Sequence, residues 1–444
     1  MRRSGGSTAW KAVPLFQQAA KLPALSPIRK TNMLTVSEAL EAILREVDPL
    51  APVSCALGDS LGLTLAAQVR SDLDSPPFDK ALMDGYAIRS ADIRSAGTEL
   101  LIVDEVTAGR VPSRAVESGQ ATRIMTGAPI PDGVDAVVKV EDTETVGTDR
   151  VRILAAETHP EQNLIRRGTS MRSGEVVLEA GRTLRAQELA ALAEMGCAQV
   201  SVRQRPTMAV LATGDELVPV SETPGPGQIR NSNETMLAAQ IEHAGGQAVP
   251  LGIARDEREH LRQWIQVGLQ HDVLLLSGGV SAGKLDLVPS ELERAGVEQI
   301  FHKVRVKPGK PVWFGVLRRK SDSKNGLDGG RNSCLVFGLP GNPVSSMVCF
   351  ELFVRTAIRR LSGHQDAKPQ TISARLAHPH VHNDDRETYF PAAFEWSAEG
   401  PAVTLMKWHG SSDLQSTRHA NAMAVFPAEP VEYSGGDFVD VILW

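Results

Sequence analysis

Long apolar runs, clustered cysteines and a basic surface pattern are all missing from this chain. No apolar run approaches the roughly 20 residues that a membrane-spanning helix requires, so the sequence predicts a protein outside the membrane. The net charge is -6, and no basic stripe is interleaved with aromatic residues, which argues against a nucleic-acid partner. The cysteines are widely spaced beside apolar segments, a pattern that favours buried thiols in a reducing cytoplasm over disulfides or a zinc site. They are Cys55, Cys197, Cys334 and Cys349.

Acidic residues are absent from positions 1–32, where all the charged side chains are basic. We expect this stretch to be a disordered and dispensable extension, because it has no apolar periodicity with which to pack. A helix is predicted directly after it. Thr35 and Glu38 have the spacing of a capping box, and Leu40, Ile43 and Leu44 follow on one helical face.

At 444 residues the chain is long enough for more than two domains. Between residues 51 and 164, short alternating runs broken by Pro, Gly and Asp predict strands and no helix. Later segments alternate between strands and helices. The texture predicts five parts: a disordered basic extension (1–32), a discontinuous domain with a helix and a hairpin (33–66 and 165–206), a β-rich inserted domain (67–164), an α/β domain (207–365) and a C-terminal β domain (366–444). The hairpin is predicted at residues 174–183.

The most informative segment is SGGVSAGKLD at residues 277–286, which follows the apolar run 273–276. A buried strand that ends in a glycine turn and opens a helix is typical of an anion site, since the backbone N–H groups can approach a ligand closely. Asp286 places a carboxylate beside that anion. This arrangement is electrostatically poor unless a cation such as Mg²⁺ is shared. An ordinary strand-to-helix connection explains the segment equally well when it is read alone.

The same pattern recurs in the chain, and this favours the functional interpretation. Residues 208–211 lead into Thr213–Gly214–Asp215–Glu216, and residues 335–339 lead into Pro340–Gly341–Asn342–Pro343. Strands that alternate with helices at 234–244, 257–269 and 345–361 predict a parallel sheet covered on both faces. Ligands bind such sheets at the carboxyl ends of the strands. Asp215, Glu216, Asp256 and Asp286 would gather there.

Two motifs in the inserted region have a structural explanation when they are taken alone. In MDGYA (83–87), Asp84 can cap a turn while Tyr86 fills the core. IMTGAPIP (124–131), which contains Thr126, can be a strand followed by a turn.

Six motifs in one order change that interpretation: MDGYA, IMTGAPIP, TGDEL (213–217), SGGVSAGKLD, KPGKP (307–311) and GLPGNPVS (338–345). Together they resemble the molybdopterin molybdenumtransferase family, bacterial MoeA, and the C-terminal region of gephyrin. The resemblance covers residues 33 to 444. It implies an elongated homodimer whose α/β domain has the MogA-like molybdopterin-binding fold. It also implies Mg²⁺-assisted insertion of molybdate into adenylylated molybdopterin, with release of AMP.

The resemblance also implies roles for individual residues. The catalytic set would be Asp84, Thr126, Glu216, Asp256 and Asp286, with Glu216 and Asp286 as metal ligands. Asp84 and Thr126 would reach the α/β site of the partner subunit. Lys307 and Lys310 would bind molybdate on a stiff loop, with Arg386 and Ser411 completing the oxyanion pocket. The ligand-binding set as a whole is Ser277, Gly278, Gly279, Ser281, Gly283, Pro340, Gly341, Asn342, Pro343, Lys307, Lys310, Arg386 and Ser411.

The chain departs from the family pattern in two places. Ala81 stands where the family usually has Ser, and Thr169 and Ser170 follow Gly168 where the family commonly has Glu-Asp.

Two other functions stay open: a gephyrin-like binding scaffold, and a generic Mg²⁺-dependent phosphate-cleaving α/β enzyme. As partners we expect a MogA-type adenylyltransferase and molybdoenzymes or chaperones that receive the cofactor. The sequence does not distinguish molybdate from tungstate.

Overall fold

The computed structural model describes residues 33–280, 287–319 and 333–444. The predicted extension 1–32, and the predicted site residues Ser281, Gly283 and Asp286, lie outside these ranges. Residues 34–444 form one compact unit. No helix in the described ranges is both long and apolar enough to cross a bilayer.

The first helix, α1 (Val36–Glu46), begins at the predicted capping box. Thr35 Oγ1 accepts a hydrogen bond from Glu38 N (3.2 Å), and Glu38 Oε2 accepts one from Thr35 N (2.8 Å). These two bonds satisfy backbone donors that no helical carbonyl can reach. The buried face of α1, which includes Leu40 and Ile43, joins the largest apolar core of the molecule. Three strands follow: β1 (Pro52–Ala56), β2 (Thr64–Leu65) and β3 (Val69–Arg70).

Residues 71–165 contain strands and short 3₁₀ turns but no α-helix, as the texture predicted. Six of the strands form a sheet in the order β8-β5-β7-β6-β10-β9, and β4 pairs with β11. Gly85 is required in this sheet, because an added Cβ would lie 1.9 Å from Val138 O. The strands are β4 (Lys80–Ala81), β5 (Gly85–Ile88), β6 (Thr98–Val106), β7 (Gln120–Ile124), β8 (Ala136–Lys139), β9 (Thr143–Val146), β10 (Arg150–Ile153) and β11 (Leu164–Ile165).

The chain then returns to its first strands through β12 (Val176–Leu178), α2 (Ala186–Glu194) and β13 (Gln199–Arg203). β13 lies between β1 and β2 in a three-stranded sheet, and β12 pairs with β3. The predicted hairpin over 174–183 is therefore wrong. That segment pairs with residues 64–71 instead, through bonds such as Gly181 N to Leu65 O (2.8 Å). The long-range pairing is more stable than a local hairpin because it buries Leu65 and Leu184 in a shared core. The predicted domain bounds stay a prediction.

The α/β region is built on a six-stranded sheet in the order β17-β14-β18-β22-β21-β19. Its elements are β14 (Thr207–Thr213), β15 (Leu217–Val218), β16 (Ile229–Arg230), α3 (Ser232–His243), β17 (Gln247–Ala254), α4 (Arg258–Gly268), β18 (Val273–Ser277), α5 (Val288–Arg294), β19 (Glu298–His302), β20 (Val306–Lys307), β21 (Trp313–Arg318), β22 (Ser333–Leu339), α6 (Pro343–Cys349), a π-helical segment (Phe350–Val354) and α7 (Arg355–Leu361).

Helices cover both faces of this sheet, as predicted. Strand side chains alternate between two cores: Met208 and Val210 face α3 and α6, whereas Ala209 and Leu211 face α4 and α5. The four strands β17, β14, β18 and β22 are parallel, but β21 is antiparallel to both of its neighbours, β22 and β19. The antiparallel pairing of β21 with β22 needs no crossover helix between the two strands.

The C-terminal strands close on themselves: β25, β26, β23, β29 and β27 follow one another, and β27 pairs again with β25. β20 lies parallel to β25 and so joins the α/β region to this ring. The strands are β23 (Ile372–Leu376), β24 (His380–His382), β25 (Glu387–Ser397), β26 (Gly400–Leu405), β27 (Ala422–Phe426), β28 (Val431–Tyr433) and β29 (Phe438–Leu443).

All four cysteines are free thiols. Cys334 and Cys349 are buried as predicted, whereas Cys55 and Cys197 are half-buried. The expectation of burial was therefore only partly right, because Cys55 and Cys197 pack at the margin of a small core formed by β1, β2, β13 and α2.

One buried acid at the start of α2 allows a test of stability. Hydrogen bonds from Arg185 and Arg182 lower the pKa of the Glu188 carboxyl to about 2, although burial opposes the shift. Because the folded-state pKa is lower than the unfolded value of about 4.3, the charged carboxylate stabilises the folded protein above that pH. This stabilisation is lost as the pH falls toward about 2. Glu188→Gln should therefore lower Tm at pH 7. Its Tm should also fall less steeply than that of the wild type below pH ~4.5.

Thermal unfolding followed by circular dichroism across that pH range measures both effects. Exposed Glu157 has no hydrogen bond among the described residues, so Glu157→Gln is the matched control and should follow the wild type. An unchanged Tm for Glu188→Gln at pH 7 would contradict the assignment.

Candidate functional site

A cavity of about 790 Å³ lies at the carboxyl ends of β14, β18 and β22. We call it the carboxyl-edge cavity. The turns after these strands form its floor, the start of α3 forms one side, and residues 412–415 of the C-terminal region form another. Ligands of parallel α/β sheets typically bind at this position. Predicted site residues on its wall are Glu216, Asp256, Ser277, Gly278, Gly279, Pro340, Gly341, Asn342 and Pro343.

The glycine turn after β18 lies against the end of β14. Gly278 has φ +96°, and an added Cβ would lie 2.6 Å from Thr213 O. Gly279 has φ +62°, and its Cβ would lie 2.8 Å from Thr213 Oγ1. Gly278 N donates to Leu339 O at the end of β22 (3.1 Å). Side chains at these two positions would push the strand ends apart and occupy space that an anion could use.

Two predicted acids, Glu216 and Asp256, share the cavity wall. Asp256 N donates to Asp215 Oδ1 (3.1 Å), which ties the loop after β17 to the loop after β14. Arg255 strengthens this link by donating to Asp215 O (3.0 Å). Asp215 therefore positions the loop, while Glu216 and Asp256 face the cavity.

The described ranges contain no group of three or more His, Cys, Asp or Glu side chains arranged to hold a metal ion. Mg²⁺ commonly binds through one or two carboxylates and keeps several waters. Oxygen donors on the cavity wall fit that chemistry. Glu216 could supply one of them, whereas the second predicted ligand, Asp286, lies outside the described residues.

The turn after β22 is fastened to the C-terminal region. Asn342 Nδ2 donates to Ser411 Oγ (2.9 Å), and Val344 N donates to Ser411 O (3.0 Å). Ser346 Oγ also donates to Pro340 O (2.7 Å), which stabilises the turn from inside. Ser411 itself does not line the carboxyl-edge cavity, although its neighbour Ser412 does.

The predicted oxyanion residues Lys307, Lys310 and Arg386 are not among the residues that line the cavity. Lys307 Nζ is 2.8 Å from Asp384 Oδ2, and Arg386 Nε is 3.2 Å from Asp384 Oδ1. Partial burial raises the pKa of the Asp384 carboxyl, but Lys307 and Arg386 outweigh it and hold the pKa below its ordinary value. Lys310 is exposed, and its neighbour Pro311 lines the cavity. Asp384, which pairs with two of the cations, was not predicted from the sequence.

Asp84 and Thr126 form a separate small site in the inserted region. Thr126 N and Thr126 Oγ1 both donate to Asp84 Oδ1, at 2.7 and 2.6 Å. These bonds lower the pKa of the exposed Asp84 carboxyl. The structure thus brings the two residues together, as the motifs suggested. It does not place them on the wall of the carboxyl-edge cavity of the same subunit.

Sequence reasoning missed Arg230 and Asn233, which line the cavity at the start of α3. Asn233 Nδ2 donates to Ser277 Oγ and to Gly341 O, both at 2.8 Å. It thereby links the turns after β18 and β22. The available signal was the Asn231-x-x-Glu234 capping pattern, since Asn231 Oδ1 accepts from Glu234 N (3.3 Å). That pattern predicts a helix start but not which side chains face a ligand.

Two family models match the chain and together cover most of it. One is described as the MoeA N-terminal region (domain I and II) and matches residues 34–196. The other is described as a probable molybdopterin binding domain and matches residues 209–360. The second match contains the three strand ends that form the floor of the carboxyl-edge cavity.

Full-length relatives agree with these matches. Molybdopterin molybdenumtransferases of Staphylococcus aureus (strain COL) and Staphylococcus epidermidis (strain ATCC 12228) are each 32% identical over 424 residues, covering 94% of this chain and 97% of the relative. A crystal structure of a molybdopterin biosynthesis MoeA protein from Pyrococcus horikoshii superposes with a TM-score of 0.75 at 28% identity. It covers 93% of this chain and 99% of that chain. The predicted fold class, an α/β domain combined with β-rich parts, is confirmed.

Gly278→Ala tests whether the glycine turn binds an anion. Besides adopting a strained φ, the new methyl group would meet Thr213 O. We expect binding of pyrophosphate to weaken about tenfold or more, since charge-assisted backbone hydrogen bonds are lost. Isothermal titration calorimetry measures the affinity.

Gly245→Ala is the matched control, because Gly245 has φ +90° but no atom lies within 4 Å of the added Cβ. Because its φ is also positive, Gly245→Ala should lower Tm as Gly278→Ala does, but it should keep the wild-type affinity for pyrophosphate. Equal affinities for Gly278→Ala and Gly245→Ala would show that the turn does not contact the anion.

Proposed function

The chain belongs to the molybdopterin molybdenumtransferase family, and from that membership we propose that the carboxyl-edge cavity binds adenylylated molybdopterin for molybdenum insertion. The protein is a transferase of molybdenum cofactor biosynthesis. The observation that carries the assignment of the site is the pair of turns after β18 and β22. Both open onto one cavity that also holds carboxylates.

The glycine turn suits the phosphate end of this substrate. Gly278 N already donates to Leu339 O, so the N–H of Gly279 and that of the next residue are the donors left for the diphosphate. The absence of a Cβ at both glycines lets the turn lie against Thr213 in this position. Asn233 holds that turn against the turn at Gly341 through two hydrogen bonds. The two turns therefore keep a fixed spacing when the ligand arrives, which favours a single orientation of the diphosphate.

Glu216 is the described residue best placed to hold Mg²⁺, with Asp286 as its proposed second carboxylate and Asp256 nearby on the wall. When bound, the ion would offset negative charge on the diphosphate oxygens as AMP leaves. The protein contributes the position of the carboxylates, since the Asp215 and Arg255 hydrogen bonds hold the loop that carries them.

For the oxyanion we propose the cationic group beside the cavity. Lys307 and Arg386 are held by Asp384, while Lys310 has no ion pair among the described residues. Ser411 is bonded to Asn342, which lines the cavity. Cations set next to the substrate pocket suit the delivery of a molybdate dianion to the dithiolene sulfurs.

We assign Asp84 and Thr126 to the active site of a partner subunit in a homodimer. Their hydrogen-bonded pair is exposed and is separate from the cavity of its own chain. Exposed Leu82 and Met83 directly precede Asp84, as expected of a surface that a second copy covers. A MogA-type adenylyltransferase would supply the adenylylated substrate. The product would pass to a molybdoenzyme or its chaperone, and these steps would take place in the cytoplasm.

The direct test is to incubate the purified protein with adenylylated molybdopterin, Mg²⁺ and molybdate, and to measure AMP and active cofactor. Glu216→Gln and Asp286→Asn should each reduce AMP release about tenfold to a hundredfold while affinity for the substrate changes less, because metal-site acids act mainly on the developing charge. Glu222→Gln is the control, since Glu222 is an exposed acid of the neighbouring loop that does not line the cavity.

Full activity of both variants at saturating Mg²⁺ would refute the metal assignment. AMP release without active cofactor would instead indicate the generic phosphate-cleaving enzyme. No turnover at all would favour the binding scaffold.

Mixed dimers test the shared active site. Asp84→Asn and Glu216→Gln should each be nearly inactive alone. Coexpression should restore about one quarter of wild-type activity, because half of randomly paired dimers are mixed and each mixed dimer has one intact composite site. Affinity tags of two kinds allow the mixed dimer to be purified and assayed. No recovery in the purified mixed dimer would place Asp84 in the active site of its own subunit, whereas full activity of Asp84→Asn alone would place it outside any active site.

A further inference from the structure

Arg230 is the only cationic residue in the described lining of the carboxyl-edge cavity, where the other charged residues are Glu216, Asp256 and Asp413. An anion that enters the cavity therefore meets mainly negative side chains. The backbone N–H groups of the glycine turn oppose this repulsion at one end only. A diphosphate carries charge at two phosphorus centres, so a cationic side chain on the cavity wall can offset charge that the glycine turn does not reach.

The conformation of Arg230 suits that task. Its Nε donates to Glu222 O (2.9 Å), and it forms no ion pair with any other described residue. Nε therefore anchors the guanidinium, and the two terminal nitrogens stay available. A planar pair of terminal N–H donors matches two phosphate oxygens in a bidentate contact.

Backbone pairing fixes the place of this side chain relative to the acids. β15 and β16 are parallel neighbours in which Val218 is paired with Arg230. Ile229 N donates to Glu216 O (2.8 Å), and Asn231 N donates to Val218 O (2.9 Å). Arg230 is thus held beside the segment that carries Glu216. The turn before it is closed by Gly225 N, which donates to Gln228 Oε1 (3.1 Å).

We propose that Arg230 binds the phosphate of the nucleotide half of the substrate, opposite the phosphate held by the glycine turn. Arg230 would then be a binding residue that distinguishes the adenylylated ligand from one without the nucleotide. This assignment rests on the proposed function, because that function identifies the second phosphate as part of an adenylyl group.

The test compares AMP with adenosine, which differ by the phosphate alone, using isothermal titration calorimetry on the full-length protein. The wild type should bind AMP more tightly than adenosine. Arg230→Gln should weaken AMP binding about tenfold or more, since hydrogen bonds to a charged group are lost, and should leave adenosine binding unchanged. Arg230→Lys should give an intermediate AMP affinity, because an ammonium group retains the charge but not the bidentate geometry.

Arg205→Gln is the matched control, because Arg205 is exposed, has no hydrogen bond or ion pair among the described residues and does not line the cavity. It removes the same charge and should leave both affinities unchanged. Circular dichroism confirms that each variant is folded.

Three results would overturn the proposal: no AMP binding by the wild type, an unchanged AMP affinity in Arg230→Gln, or an equal loss for AMP and adenosine. An equal loss would mean that Arg230 only shapes the loop. Wild-type AMP affinity in Arg230→Lys would reject the bidentate contact. The proposed function is judged separately by AMP release, so either conclusion can fail alone.

Discussion

The close approach of three strand ends at one edge of the parallel sheet is the constraint on which the site depends. The turn after β18 lies so near Thr213 that no side chain fits at Gly278 or Gly279. The same closeness lets Asn233 reach two turns at once, with hydrogen bonds of 2.8 Å to each. Backbone donors, carboxylates and the start of α3 can share one cavity only because the strand ends are held together.

Charge balance is the second organising factor. Acids outnumber cations on the described wall of the carboxyl-edge cavity, where Arg230 is the one cationic side chain. Beside the cavity the balance is reversed. There Asp384 pairs with Lys307 and Arg386, which reduces the repulsion between the two cations and holds both in place. Under the proposed function, the cavity would bind the phosphate ester with Mg²⁺, and the group around Asp384 would bind the free oxyanion.

The link between the α/β region and the C-terminal strands keeps these two regions adjacent. β20 joins the C-terminal sheet by lying parallel to β25, and Ser411 is bonded to the turn at Asn342. Residues 412–415 consequently form part of the cavity wall. The C-terminal region is therefore part of the site and not an appendage, since its removal would open one side of the cavity and release Lys307 from Asp384.

The sequence by itself determined the local features: the Thr35 capping box, the glycine turn at 278–279, and the acids that follow β14 and β17. Each depends on neighbours within a few residues, and strand ends of a parallel sheet must meet at one edge. The pairing of residues 174–183 with β2 and β3, the partnership of Asp384 with two cations, and the positions of Arg230 and Asn233 were decided only by the tertiary structure. These contacts join residues that are far apart in the chain. Other pairings of the same segments have equal local propensity, and they differ only in the side chains that they bury and the charges that they bring together.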